Sequence, residues 1–271
     1  MQSQDEVDAA AGVRVLARGL AVLQAFEPDN RWRSNAELAA ATRLPKATVS
    51  RLTANLTSAG YLNYSAEKAQ YRLASSILAL GYFAAGNREL RIVAQPLMQE
   101  LADRHSASIV LASRDGLSMV CQEVCHSRTM LFTLRVRAGS RLGLRQSALG
   151  RAQLGVMPPD EREQVIAALA AADPDACLAE RDDIGNAIFQ MQSRGFCTVL
   201  GTLEAGILGA AVTIDLPGQP YAYSLGCAVP AASYSTKRLE DEVATDLLAA
   251  KMRLEHELSL QSTHEDLRYA S

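Results

Sequence analysis

Long apolar runs are missing from this chain. None approaches the roughly 18 residues needed to cross a bilayer, so no membrane partner is expected. The first residues, Met1-Gln2-Ser3-Gln4-Asp5-Glu6, have neither a basic start nor an apolar stretch, and export is not expected. Cysteine is scarce and odd in number, five in 271 residues, which fits reduced thiols in a cytoplasmic protein better than a disulfide framework. Zinc needs about four converging ligands, usually in paired short spacings. Only Cys121-x3-Cys125-His126 comes near that pattern, and two cysteines expected on one face of a strand are accounted for by core packing. The histidines His105, His126, His256 and His264 are dispersed, and no Gly-rich phosphate loop, Gly-x-Ser-x-Gly elbow or acidic metal cluster occurs. Neither an enzyme nor a cofactor is expected.

An overall positive charge is also lacking, with a net of −3, but the charge is unevenly spread. Residues 13–73 hold nine Lys/Arg against four Asp/Glu, whereas residues 74–271 hold 18 against 23. A basic segment followed by an acidic one fits a nucleic-acid reader joined to a second module. The length also favours two domains.

What is present begins with a helical spacing of Val15, Leu16, Leu20, Leu23 and Phe26 over residues 13–26, ended by Pro28-Asp29-Asn30. Ser34-Asn35-Ala36-Glu37 has the form of a capping box and opens a short helix that should stop near Ala41. After the turn Thr42-Arg43-Leu44, Pro45 suits the first position of a second helix running to Ala59, with Gly60 as its stop. Val49, Leu52 and Leu56 form that helix's buried stripe, and Ala47, Ser50, Arg51 and Ala54 lie opposite. Two short helices joined by a tight turn, the second with a small, polar and basic outer face, describe a helix-turn-helix. Lys46 is placed to meet phosphate, and Ser50 and Arg51 to meet base edges or phosphate. Tyr61–Tyr64 and Gln70–Leu73 read as a hairpin, the wing, with Lys68 and Arg72 near the DNA backbone.

The run Leu44-Pro45-Lys46-Ala47-Thr48-Val49-Ser50-Arg51-Leu52, with Leu56, Ala59-Gly60-Tyr61-Leu62 and Tyr71-Arg72-Leu73, resembles the recognition helix and wing of the IclR family of transcriptional regulators. The resemblance implies an α+β protein. A winged helix-turn-helix (residues 10–75) would be joined by a linker helix (76–88) to a GAF-like effector-binding domain (89–260). It further implies double-stranded operator DNA, a small-molecule effector and a homodimer or homotetramer as partners. On the DNA side the candidate residues are Ser34, Arg43, Lys46, Ala47, Thr48, Ser50, Arg51, Lys68 and Arg72. Arg43 stands where the family usually has Gly, a position where positive φ would strain a side chain.

Downstream, an amphipathic helix is expected over Leu90–His105, with Ile92, Val93, Leu97, Met98 and Leu101 inward. Strands are expected at Ser108–Ser113, Ser118–Val124, Thr129–Val136, Gly206–Ile214 and Tyr221–Val229. Helices are expected at Ala148–Val156, Asp160–Ala171 and Arg181–Ser193, and a last one at Thr236–Leu258. Ser147 is a good N-cap, and Ala148-Leu149-Gly150 would offer backbone N–H groups to an anion. By resemblance this loop lines the effector pocket, with Arg151 at the family's usual Lys. Leu142, Leu144, Ile207, Leu225 and Cys227 would add apolar surface, and Gly209, where Cys is common, would add room. The expected ligand is an organic acid, aromatic or longer than three carbons. The competing readings are a regulator answering to a protein partner with a vestigial pocket, and a ligand-binding enzyme with a basic accessory domain.

Overall fold

A computed structural model describes residues 4–26, 30–84, 88–129, 134–216 and 219–269, with side chains over 13–26, 30–81, 90–129, 134–216 and 223–260. It divides into two compact units, Met1–Gly86 and Asn87–Ser271.

The first unit contains helix α1 (Gln4–Gln24), strand β1 (Arg33–Ser34), α2 (Asn35–Thr42), α3 (Lys46–Ser58), the hairpin β2 (Leu62–Ser65) and β3 (Gln70–Leu73), and α4 (Ser75–Ala84). Its core is small: Val22, Phe26, Leu38, Ala39, Val49, Leu52 and Leu62. α1 begins nine residues earlier than the apolar spacing predicts, and the proposed Pro28-Asp29 stop lies outside the described residues. The wing gains a third strand, since β1 pairs with β3.

The second unit is built on one antiparallel sheet of order β6-β5-β4-β9-β8-β7. The strands are β4 (Ser108–Asp115), β5 (Ser118–His126), β6 (Arg141–Gly143), β7 (Cys197–Leu200), β8 (Ile207–Leu216) and β9 (Gln219–Pro230). Helices α5 (Arg88–His105) and α11 (Thr245–Tyr269) pack on one face, where Ile109, Leu111, Val212, Leu225 and Val229 are buried. Within α5, Leu90, Ala94, Met98, Leu101 and Ala102 are buried and Val93 and Leu97 pack half-buried against them, whereas Ile92 is exposed. The other face carries α6 (Ala148–Val156), α7 (Pro159–Ala172) and α9 (Arg181–Arg194), with α8 (Pro174–Ala179) between the last two.

Several expectations change. The C-terminal helix runs unbroken from Thr236 as expected, but α10 (Thr236–Arg238) widens into a π-helical turn, Leu239–Ala244, before α11. Residues 134–136 are not in a strand, and 130–133, like the proposed breaks at Gly86-Asn87 and Pro217-Gly218, lie outside the described residues. Cys121 and Cys125 do not share a face. Leu111 pairs with Glu123 but Ala112 with Cys121, so Gln122 is an extra residue, a β-bulge that reverses the alternation. Cys121 therefore enters the core beneath α6, and Cys125 the core beneath α5. Both remain buried, so packing still accounts for them.

Candidate DNA interface and ligand cavity

The helix-turn-helix is fixed by local chemistry at each corner. Ser34 Oγ accepts from the Glu37 N–H at 3.3 Å, and Glu37 accepts from the Ser34 N–H at 2.8 Å. Donation from the Ser34 N–H, and from the Ser34 hydroxyl at 2.8 Å, holds the Glu37 carboxyl below the usual carboxylate range. These bonds also commit Ser34 to the cap. Arg43 takes the left-handed conformation, φ 55 and ψ 27, so the turn keeps its glycine geometry despite the side chain. Pro45 is the residue before α3 rather than its first, with ψ 139. At the far end the Tyr61 N–H donates to Leu56 O at 2.8 Å and the Gly60 N–H to Thr57 O at 3.0 Å, closing α3 with Gly60 at φ 80. Thr53, fully buried, points its hydroxyl at Asn35 Oδ1 (3.2 Å) and Ser50 O (3.1 Å), tying α3 to the start of α2.

This packing leaves Lys46, Ala47, Ser50 and Arg51 exposed together on α3, beside exposed Arg43, with Thr48 half-buried. On the wing, Lys68 and Arg72 are exposed and both lie over the ring of Trp32, 5.6 and 4.8 Å from its centroid. Sequence reasoning passed over Trp32, whose position depends on a two-residue strand.

In the second unit, a cavity of about 40 Å³ lies between α6 and the sheet. One water needs roughly 10–15 Å³ by the same measure, so the space is slim. Its lining includes the predicted Leu142, Ser147, Ala148, Leu149, Ile207, Gly209 and Cys227, together with Val110, Leu134, Val199, Leu203, Gly226 and Ala228. Among the described lining residues, Ser147 alone has a side-chain oxygen or nitrogen.

Three predicted residues, Leu144, Gly150 and Leu225, lie outside that lining, and a fourth, Cys227, lines it through its backbone. Leu144 is fully buried outside the lining. Gly150 also lies outside it, and its N–H is taken by Ser147 Oγ at 3.1 Å. A Cβ at Gly150 would stand 2.1 Å from Leu144 O, so this glycine serves close packing. Gly209 pairs with Ala228 across β8 and β9, which puts Ser224, Gly226 and Ala228 on the cavity side. Leu225 and Cys227 alternate away, and their side chains belong to the core of the opposite face. Cys227 reaches the cavity rim through its backbone, its carbonyl oxygen lying 3.6 Å from where a Gly209 Cβ would be. Nor does Gly209 open a wide space. Val199 Cγ2 and Ala148 Cβ close to 3.0 and 3.3 Å from that same point.

Ser147 caps α6 through Gly150, and no described hydrogen bond reaches the N–H groups of Ala148 or Leu149. Behind the helix, Arg151 and Arg145 are buried, and Glu180 accepts from both guanidinium groups. Arg151 Nε donates to Arg145 O at 2.8 Å, so it braces the loop rather than facing the cavity.

Residues 15–66 match the IclR helix-turn-helix domain, and residues 82–255 match the bacterial transcriptional regulator IclR C-terminal domain. The chain belongs to the IclR family. This IclR-type regulator is 32% identical over 216 residues to the HTH-type transcriptional regulator TsaQ1/TsaQ2 of Comamonas testosteroni, a match covering 79% of this chain and 77% of that protein. It is 30% identical over 247 residues to the Pca regulon regulatory protein of Pseudomonas putida, covering 90% and 83%. The crystal structure of an IclR family transcriptional regulator from Brucella abortus is 35% identical, with a TM-score of 0.78 over 90% of this chain and 91% of that one. An IclR homolog of Microbacterium hydrocarbonoxydans, complexed with 4-hydroxybenzoate, shares the fold at 21% identity, TM-score 0.70, over 91% and 99%.

As an IclR-family member the chain is a transcriptional regulator, with a helix-turn-helix for DNA and a C-terminal effector domain. Its relatives are regulators, and they favour neither the enzyme reading nor the vestigial-pocket one. No described helix is long and apolar enough to cross a membrane. Among the described residues no cluster of three or more His, Cys, Asp or Glu could hold a metal ion.

Proposed function

We propose that this regulator acts in the cytoplasm as a homodimer or homotetramer. It reads a roughly palindromic operator with α3 and the wing, and takes an organic acid with an apolar, aromatic body beside α6. The observation that carries the reading is the pairing of an almost wholly apolar cavity with two uncommitted N–H groups, Ala148 and Leu149, at the α6 start. The partial positive charge of a helix N-terminus favours a carboxylate there. A protein of the same fold complexed with 4-hydroxybenzoate agrees with this ligand class. Because the cavity is slim, a ring must displace lining side chains such as Leu134 or Leu203 when it enters.

Calorimetry with 4-hydroxybenzoate, other aromatic and aliphatic acids and the matching neutral amides tests the site. The acids bind and the amides do not. Gly209→Ala, whose methyl would press on Val199 and Ala148, weakens the acid while leaving operator affinity of the ligand-free protein unchanged. Equal binding of acid and amide, or an unaffected Gly209→Ala, would remove the carboxylate from this cavity.

On DNA, Arg51→Ala is expected to weaken specific operator binding by at least about 1 kcal/mol, the low end for a good base contact. Lys46→Ala should weaken all sequences evenly and lower the salt slope by about one. A mobility-shift titration in which the double variant, folded by circular dichroism, binds like the parent would move the interface elsewhere.

Self-association is supported by apolar side chains left in solvent on two helices, Val13, Val15, Leu16 and Leu20 on α1, and Leu78 and Leu80 on α4. A soluble monomer seldom exposes contiguous apolar surface without using it. Light scattering should therefore give at least a dimer at micromolar concentration, and a monomer with and without operator DNA would refute it.

A further inference from the structure

Trp32 is the single tryptophan of the chain. It immediately precedes β1, the short strand that lies against the wing, and the segment around it is held from both sides. Asn30, at φ 46, donates to Leu73 O at 3.3 Å and accepts from the Leu73 N–H at 2.9 Å. Arg33 and Ser34 pair with Tyr71 and Gln70. Two cations from different parts of the wing then converge on the indole: Lys68 from the turn and Arg72 from β3. Among the described ion pairs, neither cation meets a carboxylate. On β3, Tyr71 alternates with Arg72 and packs on Tyr64, with ring centroids 4.9 Å apart.

This arrangement differs physically from a salt bridge. A carboxylate would hold Lys68 and Arg72 but cancel their charge, and it would repel phosphate. An aromatic face attracts a cation through its quadrupole and leaves the positive charge whole. Holding a long side chain in one region before binding also removes part of the rotamer entropy that binding would otherwise cost.

We infer that Trp32 is a positioning residue for DNA binding: its ring holds Lys68 and Arg72 together on the wing so that both meet the phosphate backbone as a fixed pair. The inference rests on the reading of this unit as the operator-binding one.

The test uses the full chain and a labelled duplex from immediately upstream of its own coding sequence, titrated by anisotropy across a salt series. Trp32→Ala is expected to weaken binding about fivefold to tenfold and to lower the salt slope by about one, although it removes no charge. Trp32→Phe, which keeps a ring, should lose less. In a Lys68→Ala/Arg72→Ala background, Trp32→Ala should cost nothing further. A second readout is the emission of the lone indole, which should change when operator phosphates approach the two cations held over its ring. An equal loss with and without the two cations would overturn the inference in favour of direct contact or a role in the fold. So would a Trp32→Ala variant with parental affinity and slope. The Arg51→Ala variant keeps the two readings apart. If it binds like the parent, α3 is not the recognition helix. If it fails while the Trp32 variants bind normally, only the role of Trp32 is lost.

Discussion

Glu180→Ala is expected to destabilise the effector domain by about 3 kcal/mol, the low end of the cost of stranding one partner of a buried ion pair. The low end applies because the Glu180 side chain keeps 24% of its surface in solvent, whereas those of Arg145 and Arg151 keep 9% and 3%. Asp173, 3.4 Å from Arg145, is too exposed to replace it. Two guanidinium groups would then remain in the interior with one weak anion between them. Removing a stranded charge should recover part of the loss, so Arg151→Met added to Glu180→Ala should be more stable than Glu180→Ala alone. Calorimetric melting of the full chain reads this out. An effector-domain transition within about 2 °C of the parent would mean that water already solvates both cations.

Gly150→Ala is expected to cost about 3 kcal/mol as well, by overpacking rather than by charge. The new methyl would stand 2.1, 2.5 and 2.6 Å from O, Cα and C of Leu144. Those are backbone atoms and cannot swing aside. Gly143 supplies the control, because its nearest obstacle, at 1.7 Å, is the end of the Gln146 side chain, which can turn away. Gly143→Ala should therefore lose less than about 1 kcal/mol, the usual range for a tolerated substitution. Urea midpoints of the two variants decide the point, and equal midpoints would show that the loop before α6 yields as readily as a side chain. Because Ala148 and Leu149 line the cavity, Gly150→Ala should also weaken an acid bound there.

The first unit was legible because short-range signals punctuate it. Ser34 with Glu37, Pro45, and Gly60 each act within a few residues of themselves, and each stands within one position of where the sequence puts it. α6 was legible for the same reason, through Ser147. What escaped depends on partners distant in the chain. β1 has two residues and exists only because β3 offers an edge. The strands β6 and β7 are short edges too. Leu225 and Cys227 were placed in the cavity because alternation fixes which residues of β9 go together but not which set faces α6. That choice follows from the register of Gly209 on Ala228, which no local pattern states. At Gly209 the absent side chain was visible in the sequence, whereas the closure of Val199 over it was not.

The bulge at Gln122 makes β5 two half-strands of opposite phase. Up to Cys121 the strand's inward residues serve the core beneath α6, and at Cys125 they serve the core beneath α5. Substituting Gln122 changes one half-buried amide. Deleting it would leave a regular ladder, Cys121 still opposite Ala112 and Glu123 still opposite Leu111, with every other residue of the strand on the face it already holds. The two cores thus depend on the pairing of β5 with β4 and not on the number of residues in β5. A homologue one residue shorter here would keep both cores with an unbulged strand.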